Sequence, residues 1–143
     1  MIVLDTNVVS ALMRPHRNAE IRDWLDRQSS EMLWTTTVTV YEIRAGLGLL
    51  PEGRRRRMLE DAFTVSIDGV LGGRILPFDL DAAEHAAAIL SRRLRGGINK
   101  ETRDTQIAGI VAARNAVLAT RNVKDFDDLD IGLVDPWTIS GTA

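Results

Sequence analysis

The first seven residues, Met1-Ile2-Val3-Leu4-Asp5-Thr6-Asn7, place an apolar run directly before an acidic residue. An unbroken run of Ile, Val and Leu predicts a strand that is buried on both faces, as in a parallel sheet. Ligands of open α/β sheets bind just beyond the carboxyl ends of such strands. The carboxylate of Asp5 is therefore predicted to lie at the sheet edge where this architecture carries out its chemistry.

Apolar strand patterns alternate with helical patterns along the rest of the chain. Further strands are predicted at 32–36, 74–78, 116–120 and 131–134, and helices at 6–13, from Asn18 onwards, at 39–50, from Met58 towards Ile67, from Asp79 or Asp81 to Leu94, and at 102–114. This alternation predicts a parallel sheet with helices on both faces, an α/β fold of three layers, α/β/α. No linker, repeat or low-complexity tract divides the sequence, so residues 1–143 are expected to form a single domain.

The composition limits the kinds of site that this chain can build. It contains no cysteine, which excludes disulfides and thiolate metal sites and suits a cytoplasmic protein. No apolar stretch is long enough to span a bilayer, and no basic segment precedes an apolar run at the N-terminus. We therefore expect a cytoplasmic protein without membrane contact. A net charge of −2 disfavours a domain coated in nucleic acid, but permits an acidic centre with a basic rim.

Three more acids, Glu42, Asp104 and Asp125, follow strand or helix-start signals, and each also has a purely structural interpretation. Asp5 can cap the helix that follows it. Glu42 completes the spacing of a capping box with Thr39. Asp104 lies in a first helical turn, where a negative charge favours the helix dipole. Asp125 lies in an acid-rich turn, where a single solvated carboxylate does not by itself indicate a functional site.

Taken together, these acids predict more than any one of them does. Carboxylates that converge at one sheet edge repel each other and raise each other's pKa unless a cation lies between them. Oxygen ligands alone suit Mg²⁺ or Mn²⁺ better than Zn²⁺. A site of this kind can activate water and stabilise charge on a phosphate during in-line displacement. The acidic set therefore predicts a magnesium-type site.

A resemblance to a known family rests on matching segments that keep their order and spacing over nearly the whole chain. These segments are Ile2-Val3-Leu4-Asp5-Thr6-Asn7-Val8, Thr39-Val40-Tyr41-Glu42-Ile43 with Gly46 after it, Arg103-Asp104-Thr105-Gln106-Ile107-Ala108, Leu118-Ala119-Thr120-Arg121-Asn122-Val123-Lys124-Asp125-Phe126, and Val134-Asp135-Pro136-Trp137. In them the chain resembles a PIN-domain ribonuclease, and more narrowly a VapC-type or FitB-type toxin of a bacterial toxin–antitoxin pair. The resemblance implies metal-dependent RNA cleavage by a four-acid cluster. It also implies a homodimer, inhibition by a VapB-like antitoxin in a hetero-oligomer, and binding of operator DNA only through that antitoxin.

The resemblance also assigns residues to the site. Asp5, Glu42 and Asp104 fill three of the acidic places, and Asp5 and Asp104 are the expected ligands of Mg²⁺ or Mn²⁺. The fourth place stays open. Family members often have an acid just after the Thr-Arg step, but here Asn122 stands there, and Asp125 is the acid that remains. Side chains expected to orient these carboxylates are Thr6, Asn7, Thr120 and Asn122.

One dense charge run, Arg54-Arg55-Arg56-Arg57, has two interpretations. The flanking acids Glu52, Glu60 and Asp61 favour a solvated helix face. The functional alternative is a patch that contacts RNA phosphates.

Two other functions compete with the nuclease. A phosphatase would also use an Asp at the end of its first strand, but its usual pattern needs a second acid two residues later, where this chain has Asn7. A catalytically silent PIN module that binds proteins is the non-enzymatic alternative. Asn122 is the only feature of the acidic set that points to such a loss of activity.

Overall fold

The computed structural model describes residues 1–139, so the last four residues of the predicted domain lie outside the described part. Five strands form one parallel sheet: β1 Ile2–Leu4, β2 Leu33–Thr36, β3 Ile75–Leu76, β4 Val117–Ala119 and β5 Gly132–Val134. Their order across the sheet is β3-β2-β1-β4-β5. The predicted parallel sheet is confirmed, and the first strand of the chain occupies its centre.

The register shows why β1 is apolar throughout. Ile2 pairs with Leu33 of β2 on one side and with Val117 of β4 on the other. The side chains of Val3 and Leu4 are both fully buried, but each belongs to a hydrophobic cluster on a different face of the sheet. A strand covered on both faces needs apolar residues at every position. The carboxyl end of β1 therefore lies in the middle of the sheet edge.

Helices cover both faces of the sheet and form the two outer layers of the predicted three-layer fold. Their bounds are α1 Thr6–Leu12, α2 Ala19–Asp26, α3 Thr37–Leu49, α4 Arg54–Val65, α5 Leu80–Arg95, α6 Thr102–Ala113 and α7 Pro136–Ile139. The core of one face is formed mainly by α1, α2, α3 and α4, and the core of the other mainly by α5 and α6. The predicted three-layer α/β/α class is thus confirmed.

The α5–α6 pair packs unusually closely because of one glycine. A Cβ atom on Gly109 of α6 would lie 2.6 Å from the carbonyl oxygen of Ala82 and 2.6 Å from Cβ of Ala86, both on α5. Contacts this short do not occur between real Cβ atoms and their neighbours, so the two helix backbones meet at this point only because residue 109 has no side chain. This contact sets the position of α6, the helix that carries Asp104.

The beginning of α3 corrects one prediction. The helix starts at Thr37, two residues before the predicted start, and Thr36 is its N-cap. The Thr36 hydroxyl accepts the N–H of Thr39 at 3.1 Å. A capping box between Thr39 and Glu42 is therefore wrong, because Thr36 already supplies the cap. Glu42 lies in the second turn of α3, where its carboxylate is available to other partners.

The predicted cap on α2 is correct in position, but the side-chain hydrogen bond of that cap is absent. Asn18 precedes the helix but its side chain makes no capping hydrogen bond. Its Nδ2 instead donates to the carbonyl oxygens of Arg14 at 3.1 Å and Ala11 at 3.5 Å. Each of these carbonyls also accepts a backbone N–H at 3.1 Å, that of Arg17 for Arg14 and that of Arg14 for Ala11, so the amide of Asn18 joins turns that are already hydrogen-bonded. The Asn18 side chain thus binds the preceding segment, while its backbone carbonyl accepts the N–H groups of Ile21 and Arg22 in α2.

The boundaries of α5 agree with the sequence. Asp79 is the N-cap, and its carboxylate accepts the N–H of Ala82 at 2.9 Å. At the other end, Gly96 is the C-cap and Gly97 has a φ of +73°, the left-handed conformation that glycine adopts without strain. None of the helices within residues 1–139 is both long and apolar enough to cross a lipid bilayer.

Candidate active site

The site begins where the two central strands end side by side. Because β1 pairs with β4 in parallel, Asp5 follows Leu4 at the same edge at which Thr120 follows Ala119. The backbone N–H of Asp5 donates to the Ala119 carbonyl at 2.9 Å, which continues the ladder by one residue. The side chain of Asp5 is only 4% exposed. The predicted acid therefore lies at the carboxyl edge, almost enclosed by its neighbours.

Three donors hold the Asp5 carboxylate. Oδ1 accepts the backbone N–H of Thr6 at 2.8 Å, while Oδ2 accepts the Thr120 hydroxyl at 2.7 Å and the Asn7 amide at 3.3 Å. Burial raises the pKa of Asp5 above its ordinary value, and the three hydrogen bonds partly oppose this shift. The capping interpretation and the site interpretation of Asp5 are both compatible with this geometry, because the two oxygens have different partners.

A chain of threonine hydroxyls connects Asp5 to Glu42. Thr6, whose N–H binds Asp5, donates its hydroxyl to Oε1 of Glu42 at 3.0 Å. The Thr6 hydroxyl also lies 3.1 Å from that of Thr39, which in turn accepts the hydroxyl of Thr36 at 3.4 Å. Since each hydroxyl has one proton, Thr39 must donate to Thr6 if Thr6 donates to Glu42. The buried Thr39 of α3 thereby orients the Thr6 hydroxyl of α1, which in turn orients the Glu42 carboxylate.

Glu42 has a cationic neighbour that the sequence analysis did not single out. Nη1 of Arg103 lies 3.8 Å from Oε2 of Glu42, and Nη2 lies 3.6 Å from Oε2 of Glu101. Burial raises the pKa of Glu42, and both the Thr6 hydroxyl and the Arg103 guanidinium oppose this rise. Its position directly before Asp104 in the sequence could have identified Arg103 as a residue near the site.

Asp104 lies in the first turn of α6 and faces the other acids. Burial, as the largest cause, and the negative charges of Asp5, Asp125, Glu101 and Glu42 together raise the pKa of Asp104 to about 6. These four carboxylates act on Asp104 because they line the same cavity as Asp104 does. The predicted mutual repulsion of the carboxylates is therefore visible in the electrostatics of Asp104.

Asp125 and Asn122, the two candidates for the fourth place, follow β4. Asp125 ends a short 3₁₀ turn, and its Oδ1 lies 3.9 Å from Nζ of Lys100. Lys100 also donates to the Lys124 carbonyl at 3.2 Å. The backbone N–H of Asn122 donates to the Thr120 hydroxyl at 3.0 Å, so Thr120 connects Asn122 with Asp5.

All four predicted acids line one cavity of about 540 Å³. Its lining also includes three of the four predicted orienting residues, and the fourth, Thr120, is buried and donates its hydroxyl to Asp5. The residues that line it are Asp5, Thr6, Asn7, Glu42, Asn99, Lys100, Glu101, Asp104, Asn122 and Asp125. Three lining residues, Asn99, Lys100 and Glu101, were not predicted as site residues, and the signal for them was their place in the polar segment just before Asp104.

The arginine run does not line this cavity. Arg54 to Arg57 form the first turn of α4, and Arg54 and Arg55 line a separate groove together with Met13, Arg14 and Leu59. Arg56 forms an ion pair of 3.5 Å with Glu60. These contacts agree with a largely solvated helix face.

The donor set is suited to a hard divalent cation. Its side chains offer carboxylate, amide and hydroxyl oxygens, the ligands that Mg²⁺ and Mn²⁺ prefer. Within residues 1–139, no group of three or more acidic or histidine side chains is close enough to enclose a metal ion. Mg²⁺ commonly retains several waters and binds only one or two carboxylates together with substrate phosphates. An open acidic cavity therefore fits Mg²⁺ better than a metal that requires a closed cage.

Comparison with known proteins identifies the family. A model of the PIN domain matches residues 2–132 of the chain. The chain belongs to the PIN-domain family. "VapC ribonuclease Y4jK" of Sinorhizobium fredii is 34% identical over 96% of this chain and 98% of its own length. "Toxin FitB" of Neisseria gonorrhoeae is 35% identical over 96% and 99%. This PIN domain is thus of the VapC/FitB toxin type, as its sequence predicts.

A solved structure shares the fold of this PIN domain closely. The chain in "Structure of FitAB bound to IR36 DNA fragment" superposes with a TM-score of 0.85 at 35% identity, with 96% of each chain covered. The fold of this PIN domain is therefore shared by a solved structure over nearly the whole chain.

Proposed function

We propose that this protein is a metal-dependent endoribonuclease and the toxin of a VapBC-type toxin–antitoxin module. The observation that carries the proposal is the single cavity lined by Asp5, Glu42, Asp104 and Asp125 at the carboxyl edge of the sheet. Membership of the VapC/FitB type and the name "VapC ribonuclease" of one relative support RNA as the substrate. The raised pKa of Asp104 supports a bound cation, because a divalent ion would relieve the repulsion that causes part of it.

Asp5 and Asp104 are the proposed ligands of Mg²⁺ or Mn²⁺. When bound, such an ion lowers the pKa of water and stabilises the negative charge that develops on the phosphate. Among the residues that the structure describes, Oδ1 of Asp5 accepts only the N–H of Thr6, so it retains a lone pair that can face a cation. Thr120 and Asn7 hold the other oxygen and thereby fix the plane of the carboxylate.

Of the remaining polar residues, Glu42 is proposed to act as the general base, and Lys100 and Arg103 are proposed to bind RNA. Glu42 is held by the Thr6 hydroxyl through Oε1, which leaves Oε2 towards the cavity beside Arg103. We propose that Oε2 accepts a proton from the attacking water. Lys100 lines the otherwise acidic cavity, and Arg103 pairs with Glu42, which also lines it. Both cations are proposed to contact RNA phosphates, which supplies the local basic charge that a net charge of −2 permits.

The antitoxin is proposed to use a groove that ends at the acidic cavity. This groove of about 300 Å³ runs between α1, α3 and α4, and Thr6 and Glu42 form one end of it. The rest of its lining is mostly apolar and includes Met13, Ile43 and Leu59. An apolar antitoxin segment can fill it, and an Arg at the end of that segment can pair bidentately with Glu42 or Asp5. Homodimerisation and contact with operator DNA through the antitoxin belong to the same proposal, and the solved FitAB–DNA complex supports the latter.

The phosphatase alternative finds no support in the site. Asn7 stands where that mechanism needs its second acid, and its side chain is fully engaged. Nδ2 contacts Asp5 and the Thr120 hydroxyl, both at 3.3 Å, and Oδ1 accepts the backbone N–H of Arg121 at 3.1 Å. Asn7 therefore serves as a brace between β1 and β4. The silent-module alternative would be favoured by a dispersed acidic set, whereas these acids line one cavity.

Mapping of RNA ends after brief induction tests the proposed function. Wild type and Asp5→Asn would each be expressed for a few minutes, and new 5′ and 3′ ends would be sequenced. We expect recurrent cleavage sites in a restricted set of RNAs with wild type and none with the variant. Identical end maps from the two proteins would contradict the proposal and favour the silent module.

A further inference from the structure

Arg93 is a buried arginine that the proposed chemistry does not use. It lies in the last turn of α5, and its side chain is only 1% exposed. Removing a guanidinium from water costs several kcal/mol unless its donors are paired. A buried guanidinium therefore needs hydrogen-bond partners that offset its desolvation. The partners of Arg93 identify the segments that it holds in place.

The first partner is a carboxylate outside the acidic cavity. Nε of Arg93 donates to Oδ2 of Asp128 at 2.9 Å, and Nη2 donates to Oδ1 at 3.0 Å. This two-pronged geometry is the strongest that arginine forms with a carboxylate. The hydrogen bonds from Arg93 lower the pKa of Asp128 below its ordinary value. The pair therefore fastens the segment after Asp125 to α5.

Two further hydrogen bonds of Arg93 go to the elements that carry Asp104 and Asp125. Nη1 of Arg93 donates to the Thr105 hydroxyl at 2.8 Å, and Nη2 donates to the backbone carbonyl of Asp125 at 2.8 Å. Thr105 is the residue next to Asp104 in α6. One guanidinium thus holds the helix that carries Asp104 and the turn that carries Asp125.

We propose that Arg93 is a positioning residue that fixes Asp125 beside Asp104. The inference rests on the proposed function of the acidic cavity and deepens it. The only ion pair of Asp125 within the described residues is with Lys100 at 3.9 Å, too long to fix its geometry. The hydrogen bond of 2.8 Å from Arg93 to the Asp125 backbone carbonyl therefore constrains the position of Asp125 more tightly than the ion pair with Lys100 does. Lysine cannot replace it, since an ammonium group lacks the planar fork that reaches three partners at once.

The test compares Arg93→Met and Arg93→Lys with a matched control, Arg74→Met. Arg74 also binds backbone carbonyls, those of Leu33, Ser30 and Val70, but at the amino ends of β2 and β3. Melting temperature, Mn²⁺ affinity by electron paramagnetic resonance, and kcat and KM for RNA cleavage would be measured for each. Mn²⁺ serves alone as the probe of the acidic cavity.

We expect both Arg93 variants to bind Mn²⁺ about 10-fold more weakly and to lose kcat by a similar factor, since losing a residue that orients ligands typically costs 10- to 100-fold. KM should change little. Arg74→Met should lower the melting temperature but retain wild-type Mn²⁺ affinity and kcat. Wild-type Mn²⁺ affinity in a folded Arg93→Met protein, or an equal loss in Arg74→Met, would overturn the proposal.

Asp128→Asn keeps the test open if the Arg93 variants do not fold. The variant retains the bonds of Arg93 to Thr105 and the Asp125 carbonyl but weakens its charged anchor. We expect faster amide exchange at residues 123–128 and weaker Mn²⁺ binding, whereas unchanged exchange and affinity would overturn the proposal. Both readouts work without RNA, so a wild-type protein that binds Mn²⁺ but cleaves nothing would refute the proposed function and leave the role of Arg93 measurable.

Discussion

At the residue scale, Asp104 combines the features that define the site. Its carboxyl is half-buried, its pKa is raised to about 6, and four other carboxylates contribute to the rise. A group in this state destabilises the folded protein when it is ionised without a counter-ion. The charge of Asp104 is therefore expected to be needed for activity but to lower stability, and a substitution that removes the charge should affect the two in opposite directions.

Asp104→Asn should abolish RNA cleavage without loss of stability. The amide removes a charge from a repulsive cluster, so the melting temperature should stay the same or rise. Cleavage should fall at least ~100-fold, more than the loss typical of residues that only orient metal ligands. Cleavage rates and thermal melts of the two proteins check this. Activity within a few-fold of wild type would remove Asp104 from the proposed mechanism.

The raised pKa of Asp104 also predicts a pH dependence of stability. A folded-state pKa of about 6, above the ordinary 3.8, means that the native state binds more protons than the unfolded state between these values. The stability of wild type in EDTA should therefore fall as the pH rises from about 4 to about 6. Asp104→Asn should lose this part of the pH dependence. Urea unfolding of both proteins at several pH values, in EDTA, measures the difference, and parallel curves would contradict it.

Glu42→Gln tests the revised position of that side chain. Because Thr36 caps α3, Glu42 contributes no cap, and Gln can still accept the Thr6 hydroxyl. The free energy of unfolding should change by no more than ~0.5 kcal/mol, as for substitutions that remove no buried contact. Cleavage should be lost. A large loss of stability with retained cleavage would show that Glu42 is structural.

At the element scale, the strands, the carboxylate edge and the ends of α5 followed from the sequence, whereas the start of α3 and the contacts between distant segments did not. The apolar run of β1 has only one good environment, a strand covered on both faces. The start of α3 was misjudged because Thr36, Thr37 and Thr39 all have side chains that can cap a helix, and only packing selects among them. Arg93 was missed because its partners Asp128 and Thr105 come from separate segments, and no local pattern shows that they meet.

The α5–α6 contact gives a prediction at the same scale. Gly109→Ala places a methyl group 2.6 Å from the Ala82 carbonyl and should destabilise the fold by ~1–3 kcal/mol, the usual cost of overpacking. The control is Gly48→Ala in α3, where a Cβ meets nothing within 4 Å. That change should stabilise the fold by ~0.5–1 kcal/mol, because alanine loses less entropy than glycine in a helix. Urea unfolding measures both, and equal effects would refute the close packing.

At the scale of the whole molecule, the acidic cavity and the apolar groove share Thr6 and Glu42. An antitoxin that fills the groove and inserts an Arg would therefore compete directly with a metal ion. Adding Mg²⁺ to a purified toxin–antitoxin complex should restore part of the RNA cleavage, and an antitoxin in which that Arg is Ala should inhibit less. Light scattering of the complex gives the number of toxin chains. Inhibition that is independent of Mg²⁺ would place the antitoxin elsewhere.

The most direct measurement titrates metal-free protein with Mn²⁺ while binding and RNA cleavage are followed together. Wild type is stripped with EDTA, dialysed and compared with Asp5→Asn under the same conditions. If the acids at the sheet edge form one metal-dependent nuclease site, cleavage should vanish in EDTA and return along the Mn²⁺ binding curve, and the variant should show neither. Cleavage that persists in EDTA, or a variant that binds Mn²⁺ and cleaves RNA like wild type, would contradict it.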